Sequence, residues 1–218
     1  MAERLPAENK PAARPGRPRQ LSDEQRRRQL IDAAEHVFLE RGYHAATIAH
    51  IAERAGMSKK TIYQVFPGKA ALFEALLSDR LAVFTLPIEA DDREPAAALE
   101  SILLKVALFA LSPKQIRLLR LLIAEASRSP EMARVFHRQG LGRGAGTLEK
   151  WFAAQAERGT LPIKDPVRAA NMIFNLAIGD LNLFMLLKSG RPPTRVEIGR
   201  RVREAVAFFM RGLAETGD

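Results

Sequence analysis

IAHIAERAGMSKKTIYQVFP, residues 48–67, decides the fold. Ile48, Ile51, Ala52 and Ala55 recur at i, i+3, i+4 and i+7, the apolar stripe of one helix face. Gly56 then gives the backbone the freedom to turn out of a helix end. Ser58 has the chemistry of an N-cap for a second short helix, on which Ile62, Val65 and Phe66 face inward. Lys59, Lys60, Thr61, Tyr63 and Gln64 are left on the other side. Ala52, Gly56 and Ile62 thus fill the small, glycine and branched-apolar places of a helix-turn-helix, placed at 47–66.

Working outward, RRRQLIDAAEHVFLERG (26–42) supplies a first helix whose Leu30, Ala34, Val37 and Phe38 pack beneath that pair. The exposed face of the second short helix suits double-stranded DNA. Its lysines offer phosphate charge, and its Thr, Tyr and Gln reach phosphate oxygens or base edges. A merely solvated helix face would carry similar charges, but the turn geometry and the polar face coincide here.

The rest of the chain is punctuated as helix throughout. Ser22-x-x-Gln25, Ser112-x-x-Gln115 and Thr194-x-x-Glu197 have the form of capping boxes. Pro113, Pro130 and Pro166 each follow Ser or Asp, as proline does at a first helical position. Strand signals are missing, so the expected class is all-α. Helices are expected at about 22–41, 47–54, 58–65, 68–86, 95–111, 113–127, 130–139, 143–158, 166–188 and 194–213. The organisation read from this is a disordered basic arm (1–20), a three-helix DNA-binding module (21–84) and a larger helical body (85–218).

Composition narrows the function. The 218 residues contain no Cys, so thiolate metal sites and cysteine nucleophiles are excluded. His36, His44, His50 and His137 lack ligand spacing, and no metal or cofactor is expected. The net charge of +9 points to an anionic partner. Residues 1–69 hold thirteen Lys and Arg against eight Asp and Glu, so the basic density is higher towards the N-terminus. The first twenty residues lack the apolar run of a signal peptide. Asn171, Asn175, Asp180 and Asn182 interrupt the apolar stretch 169–187, which argues against a membrane span. A cytoplasmic protein is expected.

With those residues in view, the segment Gln25–Arg80 resembles the DNA-binding domain of the TetR family of bacterial transcriptional regulators. FLERGYHAAT followed by IAHIAERAGMSKKTIYQVFPGKAALFEALL carries the likeness. The resemblance implies a homodimer that sets two recognition helices in successive major grooves of a palindromic operator. It also implies that Thr47 caps the second helix at the DNA backbone, and that Tyr63 and Lys69 contact phosphates. Gln64-Val65 departs from the many members with a second aromatic or His there, which bears on base preference. In the arm, Arg14-Pro15-Gly16-Arg17-Pro18-Arg19 is similar to an AT-hook core whose Arg17 enters a narrow minor groove; a soluble basic tail reads the same way. RLLIAEASRSPEMARVFHRQG (120–140) is similar to the AefR-like branch.

The resemblance implies that the body (85–218) is an effector-binding and dimerisation domain, and its hydrophobicity points to a small, largely apolar effector. Phe109, Ile123, Phe136, Trp151, Met172, Phe174 and Asn175 are the candidate pocket residues, although such side chains at helical spacing are more often plain core. Asn171, Asn175 and Asn182 share one helical face, which suits a partner helix or a ligand. The glycines 140, 142, 144 and 146 lack the strand and the Gly-Lys-Ser/Thr of a phosphate loop, and read as a helix connection. Asp91-Asp92 with Glu89 and Glu94 reads as a solvated linker. The expected function is a ligand-responsive repressor and not an enzyme. The alternative is an architectural or activating DNA-binding protein without an effector.

Overall fold

The computed structural model describes residues 21–81, 94–128, 134, 146–188 and 191–215. Every regular element among them is a helix: α1 (Asp23–Ala45), α2 (Ile48–Ala55), α3 (Lys59–Val65), α4 (Lys69–Leu81), α5 (Pro95–Ala110), α6 (Pro113–Ala126), α7 (Gly146–Glu157), α8 (Pro166–Leu186) and α9 (Arg195–Glu215). Apart from Arg134, which is helical, the expected helix at 130–139 lies outside the described residues, as do the arm 1–20, the boundary at 84/85, Gly140–Gly144 and Asp91-Asp92. Glu94 is described, and it caps α5 by accepting from the Ala96 and Ala97 N–H groups.

Local chemistry sets the ends of these helices. Ser22 and Gln25 form a complete capping box, as do Thr194 and Glu197. The third expected box forms only by half. The Ser112 hydroxyl accepts from the Gln115 N–H, but Gln115 Nε2 donates to the Arg80 carbonyl 3.1 Å away instead of returning to Ser112. A buried amide is better satisfied by a main-chain carbonyl than by an exposed cap. Within α1, Gly42 leaves helical geometry at φ +76° and ψ 165°, so the regular helix ends at Arg41. A side chain at Gly42 would be doubly disfavoured, by that φ and by Glu125 Oε1, 3.1 Å from where a Cβ would stand.

One apolar core runs through the molecule, from Leu30 and Phe38 in α1 to Val202 and Phe209 in α9. In the head, α1 packs on α2 and α4. Phe38, Tyr43 and Phe73 cluster there with ring centroids 5.2–5.5 Å apart, in tilted and edge-on pairs. In the body, α9 packs on α5 and α8, and α7 lies against α8. Trp151, Phe152 and Phe209 fill that interior. Helix α6 joins the two parts by packing on both α1 and α8.

Helix α8 is long and apolar enough to cross a membrane by length and composition. Here it is the central helix of the body. Ala169, Ala170, Ile173, Ala177 and Ile178 are buried against its neighbours. Arg168, Asn175 and Asp180 point outward.

Candidate nucleic-acid interface

The sequence sets up α2 and α3 as a locked pair. Thr47 caps α2 by accepting from the His50 N–H at 3.2 Å. At the other end Gly56 takes the left-handed conformation, φ +63° and ψ 31°. That turn lets the Met57 and Gly56 N–H groups return to the Ala52 and Glu53 carbonyls, the hydrogen-bonding pattern that closes a helix on glycine. The Gln29 side chain of α1 donates to the freed Ala55 carbonyl at 2.9 Å, tying the turn to the first helix. Ser58 then caps α3 by accepting from the Thr61 N–H at 3.1 Å. Ile51, Ala52, Ala55, Ile62 and Phe66 are all buried at the joint, and the Arg27 guanidinium stands 4.7 Å over the Phe66 ring.

With the inner face committed, α3 presents Lys59, Lys60, Tyr63 and Gln64 to solvent, at i, i+1, i+4 and i+5 of one side. Tyr63 is 56% exposed, with its phenol open to an outside partner. Ser58 and Thr61 are placed differently. Their hydroxyls lie 2.9 Å apart and bond each other, so both serve the cap as well as the surface.

Lys69, which the resemblance makes a phosphate contact, is tied into the fold. Its ammonium donates to the carbonyls of Tyr43 (2.7 Å), His44 (3.3 Å) and Ala46 (3.1 Å), which uses all three donors. It also stands 4.4 Å over the Tyr43 ring. Burial pushes its pKa below the ordinary lysine value, against the pull of the Glu125 carboxylate. Lys69 thus secures the end of α1 against the start of α4. The sequence offers no local sign of this, because the partners are more than twenty residues away.

Two polar clusters join head to body, and neither is legible from the motif. In the first, the buried Glu35 carboxylate of α1 meets Arg80 of α4 and Lys114 of α6. A lone Glu among Ile31, Ala34 and Phe38 was the available signal. In the second, Glu125 of α6 lies 3.7 Å from His44 and beside Gly42. Farther along α6, Arg120 donates to the Leu186 carbonyl at 2.9 Å and to that of Met185, closing the end of α8.

The candidate pocket residues do not converge. Trp151 is core, only 2% exposed, and Phe109 and Phe174 pack partly buried on the same core. Ile123 and Met172 are more than half exposed, and Asn175 faces outward, donating to the Asn171 carbonyl of its own helix. Phe136 and the arm residue Arg17 lie outside the described residues. Met172 lines an open apolar groove of about 570 Å³ with Ile163, Leu176, Phe208, Phe209 and Leu213. The physical reason is that α8 is apolar around most of its circumference. Periodicity therefore does not select its inner face.

Comparison with known proteins agrees with this geometry. Residues 30–76 match the family described as bacterial regulatory proteins, tetR family. Residues 97–213 match the AefR-like transcriptional repressor C-terminal domain. The chain belongs to the TetR family and is a DNA-binding transcriptional regulator, not an enzyme. More narrowly, its body is of the AefR-like type.

Among curated relatives, the transcriptional activator FasR of Mycolicibacterium smegmatis is 47% identical over 70 residues, 32% of each chain. The fatty acid metabolism regulator protein of Bacillus subtilis is 35% identical over 79 residues, 36% of this chain and 41% of that one. The repressor BdcR of Escherichia coli is 30% identical over 96 residues, 43% of this chain and 47% of that one. The chain thus spans less than half the length of these curated relatives, which include a repressor and an activator. Among solved structures, the flavonoid-responsive regulator FrrA superposes with a TM-score of 0.74 at 27% identity, covering 87% of this chain and 97% of that one. A TetR-family regulator from Mesorhizobium loti superposes at 0.71 and 22% identity, over 88% and 98% of the two chains, a likeness of fold.

Proposed function

We propose that this chain is a ligand-responsive repressor that binds a palindromic operator in the cytoplasm as a homodimer. One observation carries the reading: α3 is capped at Ser58 and anchored by the fully buried Ile62, and it offers Lys59, Lys60, Tyr63 and Gln64 outward. Lys59 and Lys60 bind phosphate, while Tyr63 and Gln64 lie where phosphate oxygens and base edges come within reach.

The body supports the dimer. Met172, Leu176, Leu183 and Leu187 are exposed along one face of α8, spaced at 4, 7 and 4 residues, with Phe208 exposed on α9. Asn175 flanks that stripe, and the buried Oδ1 of Asn182 has no hydrogen-bond partner among the described residues, so a partner helix would satisfy it. This favours the interface over a pocket wall for the asparagine face. Responsiveness to a small, largely apolar effector is supported by the likeness to flavonoid-responsive FrrA across most of the chain. The mechanism is a population shift: α6 holds α8 through Arg120 and the head through Lys114, Gln115 and Glu125. A ligand that favours one seating of α6 alters the spacing of paired α3 helices, which must lie roughly 34 Å apart.

The activator FasR matches over 70 residues only, a length that does not extend to a whole effector body, so it leaves the sign of regulation with the AefR-like repressor body. Sedimentation and operator binding of wild type and Leu183→Glu test the reading. Wild type is a dimer, and the variant is a monomer with operator affinity reduced by about 100-fold or more. A monomeric wild type, or a monomeric variant with unchanged affinity, overturns it.

A further inference from the structure

Between α6, the last turns of α8 and the first turns of α9 lies a cleft of about 770 Å³. That volume falls within the ordinary range of small-molecule sites, roughly 300–1,000 Å³. Six cations line it (Arg117, Arg120, Lys188, Arg191, Arg200 and Arg201) against two carboxylates, Glu197 and Glu204. Three of the six are already engaged. Arg120 holds the α8 carbonyls, Arg191 pairs with Glu197 at 2.5 Å, and Arg201 pairs with Asp180 at 3.0 Å. The side chains of Arg117, Lys188 and Arg200 make no ion pair or hydrogen bond among the described residues. Lys188 is also the one described non-glycine residue with positive φ (+54°), in the turn that ends α8 at the rim of the cleft.

The same lining includes the apolar side chains of Ile116, Leu181, Phe184 and Met185. Phe184 is 52% exposed. It lies about 100° further round α8 than Leu183, off the centre of that stripe. Unpaired cations beside an open apolar lining are complementary to a molecule with both characters. A bare inorganic anion leaves the apolar surface wet, a neutral apolar molecule leaves the cations unanswered, and a DNA backbone presents phosphate without an apolar body.

We infer that this cleft binds an amphiphilic anion, a carboxylate or phosphate monoester carried on an apolar body. The head group meets Lys188, Arg200 and Arg117, and the body lies on Phe184 and its neighbours. Nothing in this depends on the direction of regulation, because binding is read on the protein alone.

The test is calorimetric titration of the full chain with dodecanoate, dodecyl phosphate and dodecan-1-ol, each below its aggregation limit. Two variants are titrated in parallel, the double charge reversal Lys188→Glu with Arg200→Glu, and Phe184→Ser. All three positions are exposed, and thermal melts establish that both variants fold. One or both anions bind one per chain, and the alcohol binds at least about tenfold more weakly. Each variant weakens anion binding by about tenfold or more. Equal affinity for the alcohol, unchanged anion affinity in either variant, or no binding of either anion up to about 1 mM overturns the assignment.

Discussion

Glu35 of α1 accepts two hydrogen bonds from Arg80 of α4 through one oxygen, at 3.0 Å from Nε and 2.7 Å from Nη2. The Glu35 side chain is only 4% exposed, and Lys114 of α6 reaches the same oxygen at 3.1 Å. Burial alone would lower the Arg80 pKa, but the hydrogen bonds it donates to Glu35 and Asp32, with the charges of Glu35 and Asp79, outweigh it and raise it. A buried ion pair fixes geometry more than it adds stability, yet removing one partner strands the other. Glu35→Ala therefore destabilises the fold by about 3 kcal/mol. Glu35→Gln, which keeps an acceptor, costs less. Chemical denaturation of the two variants checks the order; equal losses would show that a neutral acceptor at this position does not matter.

The turn and the anchor of the helix-turn-helix fail in different ways. Nothing lies within 4 Å of where a Gly56 Cβ would stand, so Gly56→Ala pays only for φ +63° and loses about 1 kcal/mol. Ile62 is fully buried, so Ile62→Ala leaves a cavity and loses about 2–5 kcal/mol. Thermal unfolding separates them, and a larger loss at Gly56 would contradict the packing described.

Lys59 and Gln64 share the outer side of α3 but have different chemistry. Lys59→Ala weakens binding to all DNA and shallows the salt dependence by about one unit of slope. Gln64→Ala instead changes the preference among operator variants, by about 1–3 kcal/mol at one base pair. Binding isotherms over a salt series and a set of base substitutions read both effects. Identical behaviour of the two variants would remove the distinction between positioning and reading.

The pH response of Glu197 has a defined sign. Hydrogen bonds from Arg191, then from the Thr194 N–H and hydroxyl, hold its carboxyl well below the ordinary 4.5. A carboxylate depressed in the folded state adds stability that is fully present above its unfolded value. That stability is lost as pH falls below 4.5 and on through the folded pKa. No change in this contribution is expected between neutrality and about pH 5. Arg191→Ala removes the largest cause, so the Glu197 titration midpoint, followed by NMR at the side-chain carboxyl carbon, rises towards 4.5. An unmoved midpoint would assign the depression to Thr194 alone.

What the sequence discloses follows the range of the interactions. Caps, the Gly56 turn and the stripe through Ile51 and Ala52 depend on neighbours within a few residues, so they can be read directly. The use of Lys69 is settled by carbonyls 23 to 26 residues away, and that of Gln115 by a carbonyl 35 residues away. Those choices exist only once α1, α4 and α6 have packed. In α8 the small Ala170 and Ala177 take the inner face and Met172 and Leu176 the outer, the reverse of a ranking by size. Alanine lets the neighbouring helices approach closely, a preference that no single-helix pattern carries.

The central claim is that paired α3 helices read a symmetric operator. Footprinting of the full chain on the DNA flanking its own gene, at several salt concentrations, tests it most directly. Two protected half-sites related by a two-fold axis are expected, their centres one helical turn or about 34 Å apart, with binding that falls steeply as salt rises. Uniform, sequence-blind protection, or a single half-site occupied at saturation, would contradict it.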